Sequence, residues 1–243
     1  MRTRTVPLFD NYRRFHILYA PMFIYETHAH TAETSPCGKV RAHDMVSQYH
    51  HAGYHGIVIT DHYFNGFFMN PLNGLSQRTK IDNYLKGYRR AREEGAKHDM
   101  DIMLGLELRF DSDPNDYLVY GVTEEHLYAY PRLNEMTLSS FYTFSRGTTM
   151  RIFQAHPFRA GITRADPSLL DGMEAFNGNP RQNSFNEEAA RYAAEHSLVR
   201  ISGSDFHQYE DCARGGMSFP ERVRDSVSFA HALPTGTCIL PKI

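Results

Sequence analysis

Short apolar runs alternate with amphipathic stretches along this chain. Residues 23–27 (FIYET), 56–60 (GIVIT), 101–106 (DIMLGL), 117–122 (YLVYGV), 150–155 (MRIFQA), 172–176 (GMEAF) and 198–202 (LVRIS) read as strands, 56–60 of the buried type. Between them, residues 41–53 place Ala42, Met45, Val46, Tyr49 and Ala52 on one helical stripe that ends at Gly53. Residues 77–94 do the same with Ile81, Tyr84, Leu85, Tyr88 and Ala91, closed by Gly95. A helix near 137–146 carries Leu138, Phe141 and Tyr142. Ser184 and Glu187 have capping-box spacing for a helix over 185–196. The alternation predicts an α/β fold with a largely parallel sheet. Residues 208–243 show no readable period.

No repeat, low-complexity tract or Pro/Gly/Ser-rich linker divides the 243 residues, so one domain over 23–243 is expected. Residues 1–22 read as an N-terminal arm, because Arg2, Arg4, Asp10, Arg13 and Arg14 interrupt any apolar core of signal-peptide type. Composition narrows the function. With 41% hydrophobic and 22% charged residues the chain is not disordered as a whole. Lys plus Arg is 26 against 28 Asp plus Glu, so no basic excess calls for nucleic acid as an obligate partner. Mean hydropathy is −0.51 and no long uncharged apolar run occurs, so no membrane-spanning helix is expected. Three cysteines do not make a disulfide framework, which points to a reducing, cytoplasmic setting. Cys37 has no His or Asp at catalytic spacing, which argues against a thiol nucleophile. The anomaly is 14 histidines with no tryptophan.

Those histidines fall at strand ends. His28 and His30 follow the first strand, Asp61 and His62 the second, Glu107 the third, His156 the fifth, and Asp205 and His207 the last; Asp116 opens the run 117–122. In a parallel barrel the C-terminal strand ends share one face, so residues distant in sequence would converge there. In His28-Ala29-His30 the two imidazoles, i and i+2 on a strand, can face one ion. Imidazole plus carboxylate suits Zn, Mn or Fe. So many ligands exceed the needs of one tetrahedral ion, and a multi-metal centre is the chemistry of hydrolysis: a bound ion lowers the pKa of water from about 15.7 towards about 7. His43, His50 and His51 lie off the apolar stripe of their helix and read as solvated.

His28-Ala29-His30-Thr31, Thr60-Asp61-His62, Gly105-Leu106-Glu107, Gln154-Ala155-His156-Pro157 and Ser204-Asp205-Phe206-His207 together resemble the motifs of the polymerase and histidinol phosphatase (PHP) superfamily of metal-dependent phosphoesterases, in the family's order. The resemblance implies a distorted (β/α)7 TIM-like barrel with two or three divalent transition-metal ions. It implies that His28, His30, Glu107 and Asp205 hold a first ion, that Glu107 bridges to a second held by His156, and that His62 and His207 hold a third. Two departures stand out. Relatives often carry His where this chain has Asp116, and many place His or Asp several residues after the HxH, where Glu33 is the candidate here. The implied activity is hydrolysis of a small phosphomonoester or nucleotide-type phosphoester by a metal-bound hydroxide. Arg159, three residues past His156, and Arg109, two past Glu107, are the candidates to grip phosphoryl oxygens; Asp61 would orient a ligand or act as general base. The alternatives are an amidohydrolase-type metal hydrolase, which typically bridges its metals with a carboxylated lysine, and a non-catalytic PHP module.

Overall fold

A computed structural model describes residues 22–66 and 72–240. The arm assigned to residues 1–22 lies outside the described residues but for Met22. The strands are β1 (Phe23–Ala29), β2 (Gly56–Ile59), β3 (His62–Tyr63), β4 (Asp101–Leu104), β5 (Leu106–Arg109), β6 (Asp116–Tyr120), β7 (Arg151–Gln154), β8 (Gly172–Asn177), β9 (Val199–Gly203), β10 (Gly216–Phe219) and β11 (Thr237–Ile239). The helices are α1 (Ala42–His51), α2 (Gln77–Tyr84), α3 (Lys86–Gly95), α4 (Glu124–Ala129), α5 (Leu138–Ser145), α6 (Asn186–Glu195) and α7 (Ser226–Ala232).

The mixed α/β class is as expected, but the closed barrel is not. The described strands form two sheets, ordered β11-β10-β1-β2-β4 and β3-β5-β6-β7-β8-β9. In the second sheet parallel pairing is interrupted at β6, which runs antiparallel to both β5 and β7. Residues 208–243, unreadable in the sequence, supply β10 and β11, which extend the first sheet antiparallel from β1. Their strands are of three or four residues, too short to show a period. The expected strand over 101–106 is cut at Gly105, where an added Cβ would stand 2.9 Å from a Val58 methyl and 3.1 Å from the Val119 carbonyl oxygen. The expected helix over 77–94 is two helices that meet at Leu85.

Strand periodicity sorts the core. Val58 points inward and joins Tyr25, Met103, Leu118, Tyr120, Phe153 and Ile201 in the interior between the sheets, closed by Phe229 of α7. Its neighbours Ile57 and Ile59 point outward against Met45, Val46 and Tyr49 of α1 and Ala91 of α3. Tyr117 and Val119 likewise turn away from Leu118 and Tyr120 to meet Ile81, Tyr84 and Phe141. No described helix is long and apolar enough to cross a membrane.

A buried carboxylate ties β1 to the strand that ends at the site. Glu26 Oε1 accepts from the backbone N–H of Thr27 (2.9 Å), His28 (2.8 Å) and Ser204 (2.9 Å), and Oε2 accepts from the Tyr49 hydroxyl at 2.7 Å. Glu26→Ala would leave three buried N–H groups without an acceptor, each worth about 1–3 kcal/mol. Its loss in urea unfolding is expected to be about 3 kcal/mol or more, and Glu26→Gln, whose amide oxygen can still accept, should lose less. A loss below about 1 kcal/mol in Glu26→Ala would show that water replaces the carboxylate.

Candidate metal centre

The motif residues converge at one end of the sheets. The β1 strand shifts register against β2 between Glu26 and Ala29; from within this irregularity His28 Nε2, and from just beyond it His30 Nε2, reach the same two carboxylates. They stand 3.4 and 3.3 Å from Glu107 and each 3.5 Å from Asp205 Oδ1. The i, i+2 spacing thus turns both imidazoles to the same side of the strand. His62 Nδ1 is 2.8 Å and His156 Nε2 3.0 Å from Glu107. His207 Nδ1 is 3.3 Å from Asp205 Oδ1. The segment after β9 is stitched to β1 by reciprocal backbone bonds, Phe206 N–H to His28 and His30 N–H to Phe206, each 3.0 Å. His156 and Asp205 have positive φ, 28° and 51°, in the region that ordinarily favours glycine. Such strain persists where surrounding contacts hold it, and it concentrates at functional sites.

Asp116 joins the group at the start of its strand, which is possible because β6 is antiparallel. In the register Asp116 faces Arg109, so the beginning of β6 lies beside the end of β5. Asp116, His62 and Glu107 present ligand atoms within 4.8 Å of one another. Glu33 does not join. Its carboxylate accepts from Ala42 N–H at 2.9 Å, at the start of α1, and pairs with Arg90. The residue that the sequence reading missed is Cys37: its sulfur lies with ligand atoms of His30, His62 and His207 within 4.8 Å. Its place seven residues after the HxH was the available signal.

Hydrogen bonds behind the cluster fix the rings. Glu174, also missed, accepts from His28 Nδ1 at 2.9 Å, from His156 N–H at 2.9 Å and from Asn177 at 2.9 Å. A carboxylate can only accept, so His28 is protonated on Nδ1 and Nε2 faces the cluster. Ser35 gives its one hydroxyl proton to Asp61 (2.7 Å) and so accepts from His30 Nδ1 (3.3 Å) and His62 N–H (3.0 Å). Asp61 also takes the N–H and hydroxyl of Thr31, each at 2.7 Å. Burial pushes its carboxyl up, against these hydrogen bonds, to about 6. Wrapped in this way it supports a positioning role and not a general base.

Electrostatics set the neighbours apart. Burial would raise Glu107 and Asp205, but His62 and His28 hold Glu107, and His28, His30 and Arg159 hold Asp205, well below the usual carboxylate range. Burial would lower His28, yet Glu174, Asp205 and Glu107 raise it well above an ordinary imidazole. Burial lowers His30 well below that value, aided by His207 and His62. Burial and the Glu107 charge raise Asp116 against Arg109. Burial would raise the Cys37 thiol, but hydrogen bonds to His207 and His62 bring it down to about 7.

The residues fit divalent metal ions. His28 Nε2, His30 Nε2, Glu107 Oε2 and His156 Nδ1 are buried without a hydrogen-bond partner. Convergent lone pairs of this kind are costly unless a common electrophile sits between them. The N and O donors are those of Zn, Mn or Fe. Above them lies a cavity of about 270 Å³ whose walls include Glu107, Asp116, His156, Arg109 and Arg159. Arg109 makes a bidentate pair with Asp116, 2.7 Å at both contacts. Arg159 donates to Asp205 and Asn177, each at 2.7 Å, and to Ser184 at 3.2 Å. The expected capping box is therefore absent: Ser184 serves Arg159, and Phe185 precedes α6 with φ 48° and no side-chain cap.

Several solved structures share this fold. A two-domain protein from Bacteroides vulgatus, containing a predicted PHP-like metal-dependent phosphoesterase, has TM-score 0.64 at 15% identity, over 90% of this chain and 65% of its own. PsfC from Pseudomonas syringae has TM-score 0.61 at 16% identity, over 90% and 92%. A lesion-specific endonuclease from Pyrococcus furiosus has TM-score 0.58 at 14% identity, over 88% and 56%. This chain thus spans less than two thirds of the first and third of these proteins. At such identities the likeness is one of fold. No curated protein matches the sequence. The PHP domain model matches residues 26–200, most of the chain and nearly all of the centre described above, so the chain belongs to the PHP domain family, whose members are typically metal-dependent hydrolases.

Proposed function

We propose that this chain hydrolyses a small phosphomonoester or nucleotide-type phosphoester with the help of divalent metal ions. The observation that carries the reading is the lining of one cavity, which sets His62, Glu107, Asp116, His156, Asp205 and His207 beside two arginines. His28, His30 and Asp205 would hold one ion. Glu107 would bridge to a second with His156 and Asp116, and His62 and His207 would face a third. When bound, such ions supply Lewis acidity and a nucleophile at neutral pH. Arg109 and Arg159 present planar guanidinium groups suited to paired phosphoryl oxygens. Each is already oriented by a ligand carboxylate, Asp116 or Asp205. Glu174 and Ser35 keep the His28 and His30 rings turned to the cluster. A second cavity of about 460 Å³, walled by Phe64, Phe110 and Pro114, shares Arg109 with the first and offers room for the rest of a small ester. No lysine lines the first cavity among the described residues, which favours this reading over the amidohydrolase one.

Chelation, with metal loss verified by mass spectrometry, should abolish hydrolysis of a generic aryl phosphate, and Mn, Zn or Fe should restore it. Full activity without metal would end the proposal. Removing Glu174 should act through the metals: in Glu174→Ala, competition with a chromogenic chelator should show affinity lower by about 10–100-fold. Unchanged affinity would reduce Glu174 to a packing residue. Arg159→Ala should raise KM several-fold and lower kcat, because Asp205 loses its partner as well. Arg159→Lys should rescue only part, since an ammonium offers a point charge in place of a fork. Steady-state kinetics unchanged in Arg159→Ala would move the role to Arg109 or to the ions.

A further inference from the structure

We infer that Cys37 is a thiolate ligand that makes the third metal position, beside His62 and His207, selective for a soft ion such as Zn(II). The inference rests on the metal-centre reading above and adds to it the ligand and the preference of one position.

Among the described residues, three groups of ligand atoms each lie within 4.8 Å, and they differ in hardness. His28, His30 and Asp205 include a carboxylate, and so do His62, Glu107 and Asp116. The group of His30, Cys37, His62 and His207 has no carboxylate; its anionic donor is sulfur. His30 Nε2, fully buried and without a hydrogen-bond partner, is turned to the shared carboxylates Glu107 and Asp205. That leaves Cys37, His62 and His207 as the set proper to the third position. The His30 ring backs onto this set, its centre 4.5 Å from that of His62 and 4.3 Å from that of His207. His207 donates from Nδ1 to the Asp205 carbonyl oxygen at 2.9 Å, so Nε2 is the atom it has to offer.

The loop that carries Cys37 is built to hold it there. Ser35 N–H donates to Thr31, Gly38 N–H to Ser35, each at 3.0 Å, and Lys39 N–H to the His207 carbonyl at 2.8 Å. Gly38 permits the tight path, since a Cβ there would stand 2.8 Å from the Thr31 carbonyl carbon and oxygen. Cys37 is a free, half-buried thiol. A thiolate with two imidazoles is a soft set that favours Zn(II) over Mn(II), whereas carboxylate-bearing groups accept harder ions. On binding, the thiol proton passes to solvent and the sulfur lone pair forms the bond to the metal.

Cobalt(II) reports both halves of the inference separately. Metal-free protein titrated with Co(II) should develop visible d–d bands from the centre and, in addition, a near-ultraviolet sulfur-to-cobalt charge-transfer band. Cys37→Ser should lose the charge-transfer band, keep the d–d bands of the other positions, and bind the third equivalent of Zn(II) at least ten-fold more weakly. Cys212→Ser and Cys238→Ser should retain the band. Cys37→Asp should recover full stoichiometry with a shift in preference from Zn(II) towards Mn(II). Visible bands without charge transfer in the native protein would overturn the role of Cys37 while leaving the metal centre intact. No cobalt bound at all would overturn the centre itself. Charge transfer that survives in Cys37→Ser would assign the sulfur to another cysteine.

Discussion

Glu107 places a carboxylate, 1% exposed, among His28, His30, His62 and His156, whose nearest nitrogens stand between 2.8 and 3.4 Å away. Taking such an ion out of water costs several kcal/mol even after relaxation. The surrounding rings recover that cost most fully as cations or as ligands of a shared cation. Asp61, Asp116, Glu174 and Asp205 are also buried at this end of the molecule, and of these five carboxylates only Asp116 and Asp205 are paired, among the described residues, with a guanidinium, that of Arg109 or Arg159. The excess of negative charge must be met by imidazolium or by metal. Both use the same nitrogens, so proton and metal compete for His28, whose pKa the carboxylates raise.

The topology serves that convergence. The parallel strands β1, β2, β7, β8 and β9 bring their C-terminal ends to one side, and β6, reversed between β5 and β7, brings its first residue to the same side. Two sheets packed face to face achieve what a closed barrel would, because strand direction and not closure decides which ends meet. The backbone bonds between Phe206 and the His28–His30 segment join the sheets where the ligands are. The carboxylate of Glu26 secures the same junction from beneath, reaching from β1 to Ser204.

Legibility in the sequence followed strand direction and side-chain context. The histidines were readable because each stands at the end of an apolar run, where a polar residue breaks the pattern. Asp116 was readable only through family resemblance, since nothing in Asp116–Tyr120 announces an antiparallel strand. Glu174 was hidden inside an apolar strand, GMEAF, where one acidic residue looks like a solvent-facing position; in the fold that face looks onto His28 and His156. The capping box at Ser184 misled because local spacing cannot show that Arg159, 25 residues earlier, takes the hydroxyl. Glu33 misled for a related reason: the backbone N–H groups at the start of α1 draw its carboxylate away from the site.

The segment Thr31–Val40 explains why sequence spacing alone chose the wrong residue there. A strand alternates its side chains predictably, so HxH could be read as a pair on one face. Beyond His30 the chain folds on itself, with Ala32 N–H bonded to Val40 at 2.9 Å and Thr31, Ser35 and Gly38 bonded in succession. In such a turn the direction of each side chain depends on the hydrogen bonds of its neighbours. Ser35 is turned towards the site by Asp61, and Glu33 away from it by Ala42 and Arg90. Cys37 faces the imidazoles because Gly38 lets the backbone pass within van der Waals contact of Thr31. A change of turn length by one residue would exchange the thiol for Pro36 or Gly38 and remove the anionic donor from that side. The donor set of the centre is thus decided as much by this turn as by the strands that bear the histidines.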